Sequence, residues 1–107
     1  MNSFENSEDQ KLATLAIATQ KRTGASQAAA LRDSTGRTYV AISISAPELT
    51  LDAIEAVFTV AMASQISGIE ALVLTGIPTG ATRVIHTHSP AALIFHIDES
   101  GVITALR

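Results

Sequence analysis

The sequence predicts an α/β domain in which helices cover both faces of a layered sheet. Three observations carry this. Hydrophobic residues make up 47% of the 107 and charged residues only 16%, which is enough apolar material for one packed core. Helix-period and strand-period segments alternate in the order α-β-β-α-β-α-β-β. Helices also fall between most of the strands, and strands linked through helices need a layer on each side of the sheet. A single domain is expected over residues 7–107, preceded by a loose tail over 1–6. With aromatics at 4% and no Trp, its core must be built from Ala, Ile, Leu and Val.

The first helix signal begins at Ser7, which stands at capping-box spacing from Gln10, with Glu8 and Asp9 in the acid-favouring first turn. Leu12, Leu15, Ala16 and Thr19 form its apolar face, and Lys21, Arg22 and Gly24 end it. Two β-prone runs, 26–32 and 37–45, flank the turn "DSTG" and predict a hairpin. In the second run Val40, Ile42 and Ile44 alternate with Tyr39, Ala41, Ser43 and Ser45, so one face is apolar.

A second helix is expected from an N-cap at Thr50 to about Gln65, with Leu49 and Ile54 spaced as a hydrophobic staple. Asp52 and Glu55 are its only charges. Leu51, Ile54, Phe58, Ala61 and Met62 line one side, while Val57, Val60 and Ala63 cover another. A helix this apolar needs cover all round, which implies a subunit interface as well as a core. Residues 69–75 read as a buried strand, and 80–86 as a short helix. "AALIFHI", the turn "DESG" and "VITALR" close the chain as a strand pair.

Composition excludes several functions. The net charge is −3 with seven Lys+Arg, and no basic run offers a nucleic-acid footprint. The absence of cysteine removes disulfides, thiolate metal ligands and thiol nucleophiles together. "MNSFENSEDQ" has neither the basic start nor the apolar stretch of a secretory leader, and no apolar run approaches a membrane span, so a cytoplasmic protein is expected.

Some segments invite chemical readings. His86, His88 and His96 could form a metal site, but His86 and His88 share a face only if their segment is extended. His96 alternates with Phe95 and Ile97 and is expected to face solvent or a partner. Arg83, beside the amides of Gly80 and Ala81, could hold an anion at a helix start, or be an exposed arginine. Asp52 could be a metal ligand, or an acid stabilised by the dipole of the second helix. No phosphate-loop pattern and no G-x-S-x-G elbow is present.

Four segments together resemble the cytidine deaminase family over nearly the whole chain. "DSTGRTYVAISISA" resembles its hairpin turn and second strand, and "LTLDAIEAVF" the start of its second helix. "PTGATRV" resembles its P-C-x-x-C-R loop entering the third helix, and "LIFHIDESGVITAL" its last two strands. The resemblance implies a three-layer fold around a five-stranded mixed sheet, and dimers or tetramers in which neighbouring subunits complete each site. It also implies three Cys or His zinc ligands, but the matching positions hold Asp52, Thr79 and Thr82, and threonine hydroxyls are poor ligands. The position matching the family's proton-shuttling glutamate holds Ile54, and Ser43 and Ser45 replace its ribose-contacting Asn and Glu. Pro78, Gly80 and Arg83 keep the motif's pattern.

A deaminase-like domain without its metal or other cofactor is therefore expected. Ser43, Ser45, Asp52, Ile54, Thr79, Thr82 and Arg83 would line a vestigial pocket. The expected function is a non-catalytic interaction module, homo-oligomeric through the second helix, with no nucleic-acid or membrane partner. Two alternatives stand beside it: a divergent nucleoside or cytidine deaminase using Asp52 with histidines, and a nucleoside-binding sensor. The sequence does not name a small-molecule ligand.

Overall fold

The computed structural model describes residues 2–106. Ten elements follow in order: α1 Ser7–Thr23, β1 Gln27–Asp33, β2 Thr38–Ile42, β3 Ile44–Ala46, β4 Leu49–Leu51, α2 Ala53–Ala63, β5 Ile69–Gly76, α3 Thr82–His88, β6 Leu93–Ile97 and β7 Ile103–Leu106. Arg107, the last residue of the expected closing strand, lies outside the described residues.

Five strands form one sheet in the order β2-β1-β5-β6-β7. β1 runs antiparallel to β2 and β5, β5 and β6 are parallel, and β7 is antiparallel to β6. The sheet is mixed and has helices on both faces, as expected. α1 covers one face, where Leu12, Ala13 and Ala16 meet Ala30, Ala71 and Val73. α2 and α3 cover the other, where Ile54, Val57, Ala61 and Ile85 meet Ala29, Leu31, Leu72 and Leu74. β1 is buried along its whole length, and its run of alanines lets both helix layers approach the sheet closely.

The two hairpins of the sheet use the same turn chemistry. Asp33 Oδ1 accepts from the amides of Thr35 at 2.9 Å and Arg37 at 3.0 Å. Asp98 Oδ1 accepts from those of Ser100 at 2.8 Å and Val102 at 2.9 Å. The glycine three residues after each Asp takes positive φ, 90° at Gly36 and 86° at Gly101, which other residues rarely adopt. At Asp33, burial pushes the carboxyl pKa up, but the bonds from the Thr35 hydroxyl and the Arg37 and Thr35 amides outweigh it and hold the group below its ordinary value.

Four local expectations change. The N-cap of α1 is Asn6, not Ser7, with its Oδ1 accepting from Glu8 N at 2.9 Å. In the segment expected as a tail, Phe4 also packs edge-on against Phe95, ring centroids 5.3 Å apart. The second β-run breaks at Ser43, and its end pairs with residues read as a helix start to form the separate ribbon β3–β4. Thr50 is consequently in a strand, opposite Ser45, and Asp52 caps α2. Leu49 then lies too far before the cap to act as a staple for Ile54.

An ion cluster built on buried Arg32 and Asp9, with Glu70 half exposed, ties α1 to the sheet. Arg32 is 8% exposed and donates from Nε to Glu70 Oε1 at 2.8 Å. Its Nη2 lies 3.0 Å from Asp9 Oδ1, close enough for an ion pair though poorly aligned for a hydrogen bond. Burial pulls the guanidinium pKa down, but Glu70 and Asp9 outweigh it and hold Arg32 above its ordinary value.

Candidate functional site

The site that the sequence singles out lies where the N-terminus of α2 meets the loop from β5 to α3. Asp52 has extended backbone angles, φ −71° and ψ 169°, because the ribbon strand β4 ends just before it and the helix starts just after. Its Oδ1 accepts from Glu55 N at 2.8 Å, and Glu55 Oε1 accepts from Asp52 N at 2.9 Å, a complete capping box. Its other oxygen, Oδ2, accepts from Ala81 N at 2.9 Å. The Asp52 carboxylate is thus a cap that also clamps the next loop, where the sequence suggested a first-turn acid or a metal ligand. Glu55, the nearest other acid on the helix, is held in the reciprocal bond.

Ile54 is wholly buried in the α2-side core. Gly80 lies directly over it: a Cβ on Gly80 would sit 2.9 Å from Ile54 Cδ1 and 3.4 Å from Asp52 Cγ. A side chain there would press on the Ile54 δ-methyl, because the loop touches the helix start and packed atoms fill the contact.

Gln27, which the sequence reading passed over, joins these parts. It is 4% exposed at the start of β1. Its Nε2 donates to the carbonyls of Ile77 and Thr79, both at 2.6 Å, and its Oε1 accepts from Ala53 N at 3.1 Å. The only sequence signal was a polar residue opening an apolar strand. Gln27 and Asp52 together take up the Ala53 and Glu55 amides, so these donors are already engaged.

The structure gathers part of the expected pocket. The Ser43 amide donates to the Gln27 carbonyl at 3.2 Å, and Ser43 Oγ lies 3.1 Å from Ser26 Oγ, which brings Ser43 beside Gln27 and through it to Thr79. Asp52 and Ile54 join through Ala53, and Thr82 opens α3 after the Asp52–Ala81 contact. Ser45 and Arg83 stand apart. Ser45 is exposed on the ribbon, and Arg83 lies on α3 beside a groove of about 520 Å³ with Phe58, Val84, Thr87 and His88. Neither that groove nor the larger cleft of about 900 Å³ is lined by Asp52, Ile54, Thr79 or Thr82.

The histidines do not converge. His86 and His88 are both on α3, where a spacing of two sends side chains to different faces. His86 Nε2 lies 3.2 Å from the Ala92 carbonyl, and His88 Nδ1 lies 2.8 Å from Ser89 Oγ with its ring edge-on to Phe58. His96, expected to face solvent or a partner, is instead 7% exposed, with Nε2 2.7 Å from the Gly76 carbonyl. Both faces of this sheet are covered, so the strand face opposite Phe95 and Ile97 is also interior. Among the described residues no three His, Cys, Asp or Glu groups are placed to hold a metal ion. The donor set at the motif positions does not fit a zinc ion either, since the one carboxylate is bonded to two backbone amides and its companions are threonines.

Compared with known proteins, residues 5–101 match a family model described as cytidine deaminase-like. No curated protein matches the chain.

Proposed function

Because the chain belongs to the cytidine deaminase-like family, we propose that it is a non-catalytic member, keeping the fold as a homo-oligomeric interaction module. One observation carries this reading: Asp52, at the first motif position, spends both carboxylate oxygens on the Glu55 and Ala81 amides, with Ile54 buried beneath it. A hydrolytic deaminase needs an activated water and a titratable group to move protons. The motif positions here supply a carboxylate already accepting from two backbone amides, two hydroxyls and an aliphatic side chain. Metal content and cytidine turnover of the purified protein test the reading together. The expected result is neither stoichiometric transition metal nor turnover, and finding both refutes it.

The exposed side of α2 supports assembly. Val60 is 43% and Met62 38% exposed, and Leu49, on the ribbon that contacts α2, is 55% exposed. Exposed apolar side chains on both edges of the outer face of α2, with the ribbon beside it, suit a protein partner, and a second copy offers the same surface. Light scattering is expected to give a dimer or tetramer at micromolar concentration, and Val60→Glu with Met62→Glu to give a monomer. A strict monomer for the unaltered protein sinks this part. No helix among the described residues is long and apolar enough to cross a membrane. The same reading assigns the protein to the cytoplasm, which cell fractionation tests.

A further inference from the structure

A second site lies away from the deaminase-like motif. The larger cleft, about 900 Å³, opens at the carboxyl ends of the parallel strands β5 and β6, between the last turns of α1 and the β6–β7 turn. In open α/β sheets, this end of parallel strands is where small ligands bind. Its volume lies in the range of small-molecule sites.

The lining is chemically specific. Ile17 and Ile97 give it apolar surface, while Lys21 lines it from α1, and Asp98 and Glu99 from the β6–β7 turn. Neither Lys21 nor Glu99 has an ion-pair partner among the described residues, so charges of opposite sign line one cleft uncompensated. His96 also lines it. The Gly76 carbonyl can only accept, so His96 Nε2 carries the proton in their 2.7 Å bond.

We infer that this cleft binds a small zwitterion, a free amino acid or a short peptide. The ligand's ammonium lies toward the carboxylates of Glu99 and Asp98, its carboxylate toward Lys21, and its side chain against Ile17 and Ile97. A nucleoside carries no such pair of opposite charges. The site is independent of the motif around Asp52 and of the proposed assembly through α2.

The test is titration of the isotope-labelled protein with each of the common amino acids, followed by backbone amide NMR. At least one is expected to saturate, moving the amides of Thr75, Gly76 and residues 96–100. Blocking its amine by acetylation, or its carboxylate as an ester, is expected to weaken binding. Lys21→Ala and Glu99→Gln are each expected to weaken it by up to roughly fivefold, the range of a partly exposed ion pair. Failure of every amino acid to saturate at millimolar concentration overturns the inference. Equal binding of the blocked forms, or indifference to both charge substitutions, overturns it too.

Discussion

Replacing Asp52 by alanine separates a structural clamp from a metal ligand. The substitution removes the acceptor for Glu55 N, at 2.8 Å, and the acceptor for Ala81 N, at 2.9 Å. Loss of a side-chain N-cap costs about 0.5–2 kcal/mol. A second bond from a backbone amide to a charged oxygen adds about 1.5 kcal/mol at the low end for charged groups. The Glu55 side chain keeps its own bond to the residue-52 amide, so the sum is about 2–3.5 kcal/mol. Asp52→Asn keeps one carbonyl acceptor and should cost roughly half as much. Urea unfolding at fixed protein concentration measures both, with an unchanged m-value showing that stability alone has moved. Hydrogen exchange should speed up at Glu55 and Ala81 in the alanine variant. All of this is expected in the presence of a chelator, which should leave the unaltered protein's midpoint where it was. A cost below about 0.5 kcal/mol, or a midpoint that falls on chelation alone, refutes the reasoning.

The contact between Gly80 and Ile54 predicts that Gly80→Ala destabilises by about 1–3 kcal/mol through overpacking. Adding Ile54→Val, which removes Cδ1, should restore part of this, and additive costs in a double-mutant cycle would show that the contact is not the cause. Arg32→Met strands the buried carboxylate of Asp9 and should cost about 3–5 kcal/mol by thermal unfolding. Arg32→Met with Asp9→Leu should cost less than Arg32→Met alone, and a larger cost for the pair contradicts the account. The Asp33 carboxyl is held below its ordinary value, so its contribution is present above pH about 4 and lost as pH falls through the depressed folded value. The gap in urea midpoint between the unaltered protein and Asp33→Asn should therefore narrow on acidification below about pH 4, and a gap constant down to pH 2 rejects this.

Much of the architecture was legible because the hydrophobic period changes cleanly along the chain. The alanine-rich run at 28–30, the apolar run at 71–74 and the Asp-to-Gly turns fix strands and hairpins from local chemistry alone. The start of α2 was misread because Thr50 has good cap chemistry, and sequence does not show that Ser45 pairs with it and holds it extended. Pairing of β3 with β4 decides the matter, and the cap passes to the first acid beyond the ribbon. At the motif, residue types told which side chains stand at the matching positions, but not what Asp52 does there. That depends on Ala81, 29 residues away, and on Gln27, whose three partners lie 26 to 52 residues away. His96 was misplaced for a related reason: alternation separates two faces of a strand without saying that both are covered.

The order of strands in the sheet also bears on how the chain is made. β1, the most thoroughly enclosed strand, has its hairpin neighbour β2 ready at once, but its other edge waits for β5, synthesised about forty residues later. During that interval a ribosome-tethered chain displays an unpaired alanine-leucine edge, a surface prone to sticking to other nascent chains. Slow translation between β2 and β5 would prolong that exposure, which ends once residues 69–76 have emerged and paired with β1.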